Sequence, residues 1–237
     1  MPRPLRIALV AALAACSRAP APVPSASRSP VVASMSAAPS IQLDRYAREI
    51  DRFDEADRAA PPAPGGIVFV GSSTIRMWTT LAEDFAGLPV LNRGFGGSTF
   101  PEALHYLQRT VVRYHPRTVV VYEGDNDLAS GRTPQQIADD YRAFVRGVRD
   151  SLPNARIVFL AIKPSPSRWK LESQRREANR LVSTIVATDP NQAFVDVGTP
   201  MLDPSGRPRP ELFRDDSLHM TPAGYVLWRS TVAPILK

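Results

Sequence analysis

Apolar residues recur along this chain at two different periods, and the alternation between them predicts the fold. Leu43, Tyr46, Ile50 and Phe53 follow one another at three- and four-residue spacing with charges between them, the pattern of an amphipathic helix that stops before PPAPGG. Beyond it come short runs rich in β-branched residues: IVFV (67–70), PVL (89–91), TVVVY (118–122), RIVFLAI (156–162) and AFVDV (193–197). Their nearly continuous apolar character is that of strands covered on both faces. Helical periodicity fills the gaps, from Pro101 to Tyr114, after Thr133-Pro134-Gln135-Gln136, and around Leu171 to Ala187, with a last helix after Thr221-Pro222. Thr133 and Gln136 have capping-box spacing ahead of Ile137, Tyr141, Phe144 and Val148. Strand and helix in strict alternation predict an α/β fold, a parallel sheet with helices on both faces. There is no internal repeat, and residues 41–237 fit one domain.

The first forty residues follow neither period. MPRPLR carries two arginines and no acid, IALVAALAA is apolar, and Cys16 comes next. This order predicts a secretory signal over residues 1–15. Its apolar run reaches only about 14 Å as a helix at ~1.5 Å per residue, too short for a bilayer core of ~30 Å. Leu13-Ala14-Ala15-Cys16 resembles the bacterial lipobox, which implies a lipidated Cys16 and a membrane-anchored lipoprotein of the cell envelope, facing the periplasm. A plain secretory signal is the alternative. Residues 16–40 reduce to Ala, Ser, Pro, Val and Arg with little else, a composition expected of a disordered tether.

Composition narrows the classes. With 43% hydrophobic and 22% charged residues the chain has the makings of a soluble folded domain, and a single cysteine excludes an internal disulfide or a Cys-rich zinc site. The net charge of +6 arises from bases interspersed with acids, as in RYAREIDRFDEADR, so no nucleic-acid partner is expected. A solvated basic face, attracted to anionic lipid or polysaccharide, is the reading.

The unusual residues gather where ligands bind in open α/β sheets, beyond the carboxyl ends of the strands. Gly71-Ser72-Ser73-Thr74 follows the first strand, Asn92 to Ser98 the second, Glu123-Gly124-Asp125-Asn126-Asp127 the third and Lys163 to Trp169 the fourth. Asp215 to His219 precedes the last helix. Gly94, Gly96 and Gly97 do not make a dinucleotide loop, because Thr99 stands where the third glycine belongs. No EF-hand spacing is present, and no metal or cofactor is expected. His105 lies in a helical stretch and His115 in a turn, whereas His219 has Asp216 three residues before it. An Asp so placed can hold imidazole Nδ1 and leave Nε2 free to take a hydroxyl proton.

These blocks together resemble the SGNH hydrolases, the GDSL esterases and lipases, in the family's order and across nearly all of residues 65–237. The resemblance implies a three-layer α/β/α sandwich with a five-stranded parallel sheet of flavodoxin-like type. It implies Ser73 as nucleophile, Asp216 and His219 as its partners, and an oxyanion hole made by the Ser73 N–H, the Gly97 N–H and the Asn126 amide. GSST stands in place of GDSL, so Ser72 occupies the aspartate position. The expected reaction is cofactor-free hydrolysis of carboxylic esters of short acyl or acetyl groups, on a small molecule or an envelope or plant carbohydrate. Acyl transfer to a carbohydrate hydroxyl and a non-catalytic envelope-binding module are the alternatives. Lys163, Arg168 and Trp169 are expected to form a substrate loop, with Trp169 stacking on a ring or, alternatively, starting the next helix.

Overall fold

The computed structural model describes residues 43–236, and the signal segment, Cys16 and the tether lie outside the described residues. Five parallel strands, β1 (Ile67–Gly71), β2 (Val90–Gly94), β3 (Thr118–Tyr122), β4 (Arg156–Leu160) and β5 (Gln192–Val195), form a sheet in the order β2-β1-β3-β4-β5. The helix α1 (Ala47–Ala59) precedes β1. Between β1 and β2 lie α2 (Ser73–Arg76) and α3 (Leu81–Asp84), and between β2 and β3 lie α4 (Phe100–His105) and α5 (Leu107–Thr110). The β3–β4 connection carries α6 (Asp125–Ala129) and α7 (Pro134–Ser151), α8 (Glu172–Val186) joins β4 to β5, and α9 (Pro222–Val232) ends the fold.

The period of two in the strands sorts the core into two halves. Val68, Val70, Val119, Val121, Ile157 and Phe159 pack with Ile50, Phe100, Tyr141, Phe144 and Ala178. Ile67, Phe69, Val120, Tyr122, Val158 and Leu160 face the other way, onto Ile75, Trp78, Phe85, Tyr225 and Trp228. Helices α1, α4, α7 and α8 therefore cover one face and α2, α3 and α9 the other, which is the expected three-layer α/β/α sandwich. The predicted capping box forms, with the Gln136 N–H donating to Thr133 Oγ1 at 3.2 Å and the Thr133 N–H to Gln136 Oε1 at 2.8 Å.

Three details differ from the pattern-based expectation. Strands β2 and β5 are only partly covered, because each is a sheet edge with one strand neighbour. The stretch from Pro101 to Tyr114 is not one helix but α4, α5 and a 3₁₀ turn, Val112–Tyr114. The Tyr106 carbonyl at the junction of α4 and α5 accepts from both the Thr110 N–H and Thr110 Oγ1, each at 2.9 Å. Leu43–Tyr46 is likewise a 3₁₀ turn leading into α1.

One buried ionic cluster fixes α1 to the sheet. Asp57 of α1 pairs with the Arg93 guanidinium of β2, with the two side chains 9% and 8% exposed. Its other oxygen accepts from the Tyr114 hydroxyl at 2.6 Å, which itself accepts from Arg93 Nε at 2.8 Å. Burial, then the bond to Asp57, pushes the Tyr114 phenol up to about 12, so it stays a donor. The Asp57→Ala variant strands a buried guanidinium and should lower unfolding free energy by about 3–5 kcal/mol in urea titrations. A loss below about 1 kcal/mol, the value typical of a surface pair, would show that the cluster does not hold the helix.

Candidate active site

At the carboxyl end of β1, Gly71 lies against β3 so closely that a Cβ there would stand 2.2 Å from the Tyr122 carbonyl oxygen, and its φ is +150°. Only glycine fits this turn, and it delivers Ser73 as the first residue of α2. Ser73 is half-buried, and its Oγ lies 2.9 Å from His219 Nε2. His219 Nδ1 lies 2.6 Å from Asp216 Oδ2. Since the ionised carboxylate can only accept, Nδ1 carries the proton and Nε2 accepts from the Ser73 hydroxyl.

The segment that carries Asp216 and His219 is anchored at its base. Phe213 and Met220, both buried, pair across it, and the Arg214 N–H donates to the His219 carbonyl at 2.8 Å. Asp216 Oδ1 accepts from the N–H groups of Leu218 and His219 at 2.9 Å each. Ser217, between them, has φ +55°, a left-handed conformation uncommon for a residue with a side chain. Desolvation pushes the Asp216 carboxyl up, but the bond from the His219 ring and the two N–H donors outweigh it and hold it at about 2. It is thus ionised wherever the enzyme is folded at ordinary pH.

The loop after β2 brings Gly97 beside Asn126 of α6, whose Nδ2 stands 3.7 Å from where a Gly97 Cβ would lie. Asn126 Nδ2 donates to the Ser98 carbonyl at 3.0 Å. The Gly97 N–H donates to the Tyr46 hydroxyl at 3.0 Å, and the Gly96 N–H to Glu49 at 2.6 Å. Gly96 has φ +44°, and any Cβ on it would collide with the Tyr46 ring. The turn ahead of α1 and α1 itself therefore grip the loop. Asp127 braces the same loop from α6, accepting the Phe100 N–H at 3.0 Å and the Gly124 N–H at 3.1 Å, while burial pushes its carboxyl up to about 7.

In the segment Lys163 to Trp169, expected to form a substrate loop, both bases turn inward to Asp125. Lys163 is 1% exposed, with Nζ donating to Asp125 Oδ2 at 2.8 Å, so it presents no charge to solvent. Arg168 turns inward to Asp125 and Asn126. Trp169 is half-buried, with the Arg207 guanidinium over its ring at 4.4 Å. The sequence assigns no site role to Tyr46 or Asp125, because a tyrosine on the apolar stripe of an amphipathic helix and an aspartate in a Gly-Asp-Asn-Asp turn both have ordinary explanations.

The profile of the GDSL-like lipase/acylhydrolase family matches residues 68–227. The platelet-activating factor acetylhydrolase IB subunit alpha1 of Bos taurus is 29% identical over 168 residues, covering 67% of this chain and 69% of its own. A Streptococcus pneumonia protein provisionally named a platelet activating factor superposes with a TM-score of 0.73 at 19% identity, over 82% of this chain and 94% of its own. An acetylxylan esterase from Geobacillus stearothermophilus does so with a TM-score of 0.60 at 14% identity, over 73% and 95%. The chain belongs to the GDSL-like lipase/acylhydrolase family and is an ester hydrolase of the SGNH type.

Proposed function

We propose that the protein hydrolyses short-chain acyl esters, acetyl esters foremost, through a covalent intermediate on Ser73. The observation that carries this reading is the unbroken chain from Ser73 Oγ to His219 Nε2 at 2.9 Å and from His219 Nδ1 to Asp216 at 2.6 Å. Ser73 Oγ attacks the acyl carbon as its proton passes to His219 Nε2, and Asp216 holds the resulting imidazolium. The carbonyl π electrons move to oxygen, where the Ser73 N–H, the Gly97 N–H and the Asn126 amide meet the negative charge. A carbonyl oxygen reaches the Gly97 N–H by taking the place of the Tyr46 hydroxyl. The C–O bond to the leaving alcohol then breaks, with its oxygen taking the proton from Nε2. Water, losing a proton to the same nitrogen, attacks the acyl-enzyme and releases the acid as that proton returns to Ser73 Oγ.

The choice of small acyl groups rests on an exposed catalytic edge, with Asp216 48% and His219 22% exposed, and on relatives whose names specify acetyl substrates. For the segment outside the described residues, we carry forward the reading of residues 1–15 as a signal, Cys16 as a lipidated residue, and 16–40 as a tether holding the enzyme at a bacterial envelope membrane.

Three outcomes test this. A serine-directed fluorophosphonate should label Ser73, and Ser73→Ala should remove both label and esterase activity; an adduct on Ser72 would move the nucleophile by one residue. Asp216→Asn should lower kcat by about 10⁴-fold with folding retained, through loss of the tautomer and of imidazolium stabilisation. Because the folded-state pKa of Asp216 is depressed, its contribution is present above the unfolded carboxyl value and is lost only as pH falls toward about 2. In a bacterial host, Cys16→Ser should release the domain from the membrane fraction or stall it as precursor, and a cleaved variant still held at the membrane contradicts the anchor.

A further inference from the structure

The side-chain amide of Asn126 has two ends of opposite character, and only the N–H end can serve a developing negative charge. Its orientation is fixed from both sides. Arg168 Nη2 donates to Asn126 Oδ1 at 2.8 Å, while Nδ2 donates to the Ser98 carbonyl at 3.0 Å. A flipped amide would set oxygen against the Ser98 carbonyl and N–H against a guanidinium, losing both bonds. Arg168 is held in turn, with Nη1 donating to Asp125 Oδ1 at 2.5 Å and Lys163 Nζ donating to Asp125 Oδ2 at 2.8 Å.

The charges of this group do not cancel. One carboxylate, 9% exposed, is shared by an ammonium that is 0% exposed and a guanidinium that is 20% exposed. Desolvation pushes the Asp125 carboxyl up, but the two cations prevail and keep it below its ordinary range. A Lys–Asp pair alone would be neutral. Adding Arg168 leaves one excess positive charge behind the Asn126 carbonyl, in surroundings where water screens it poorly. That charge draws electron density toward Oδ1 and makes the amide N–H a stronger donor.

We infer that Arg168, seated by Asp125 and the buried Lys163, is a positioning residue for ester hydrolysis, orienting and polarising the Asn126 amide for the transition state. The inference rests on the proposed role of Asn126 as an oxyanion donor. It gives the inward turn of Lys163 and Arg168 a catalytic purpose and separates it from substrate recognition.

A double-mutant cycle on a nitrophenyl acetate ester tests it, with thermal unfolding followed for each variant. Arg168→Gln should lower kcat by about 10-fold, within the coupling found between residues of one hydrogen-bonded network, with a smaller change in KM. Asn126→Ala should lower kcat by about 10²-fold or more. The combined variant should be no slower than Asn126→Ala alone, because without the amide Arg168 has nothing to orient. Arg168→Lys, which keeps the charge but not the two-pronged geometry, should fall between wild type and Arg168→Gln, and it carries the same cycle where the glutamine variant does not fold. A loss on changing Arg168 that is as large in the Asn126→Ala background, or that appears only in KM, overturns the inference while leaving the oxyanion reading intact. Wild-type kcat in Asn126→Ala would instead overturn the oxyanion reading and this inference with it.

Discussion

Strand β1 pairs along its whole length with β2 on one side and β3 on the other, and the chain leaves the ends of those strands toward opposite faces of the sheet. Three loops must therefore diverge just beyond Gly71, Gly94 and Tyr122, opening a crevice that no regular backbone pairing can fill. Ser73, Gly97 and Asn126 stand at that crevice because each lies within a few residues of a strand end. The His219 segment comes from far along the chain, and its place is set by Phe213 and Met220, which sink into the helical layer of α9. Strand packing thus locates Ser73, Gly97 and Asn126, and side-chain packing outside the sheet brings His219 to them.

Under this crevice lies a cluster of buried ionisable side chains. Glu123, Asp125, Asp127 and Lys163 are all buried within the ends of β3 and β4 and the start of α6. Each meets the cost of desolvation differently. Asp127 accepts two backbone N–H groups, and Asp125 takes two cations. Glu123 accepts from Ser98 Oγ at 2.6 Å, and desolvation followed by the nearby Asp127 pushes its carboxyl well above the ordinary range. Such a platform makes the loop after β2 and the turn before α6 stiff, since any movement would strand one of these groups without its partner.

How much of this the sequence disclosed depended on the range of the interactions involved. The five strands, the Thr133 capping box and the Asp216–His219 pair are local in sequence, and the residues that specify them lie within a few positions of each other. The alternation of periods gave the layers, because a strand covered on both faces has no polar side to show. The burial of Lys163 is not legible locally, because lysine is seldom buried and nothing near it in sequence announces a partner 38 residues earlier. Tyr46 was read as core for a similar reason, as its bond to Gly97 spans 51 residues and depends on the angle at which α1 meets the sheet. Long-range polar contacts made by residues with an ordinary local explanation are what a single sequence hides.

The boundary of the family match and the boundary of the folding unit do not coincide. The family profile begins at residue 68, yet Tyr46 and Glu49 hold the backbone of Gly96 and Gly97, and Asp57 is locked to Arg93. A segment outside the shared profile thus sets the backbone of the loop after β2. A substitution in the helix ahead of β1 can therefore move the backbone of Gly96 and Gly97 while leaving Ser73, Asp216 and His219 where they stand.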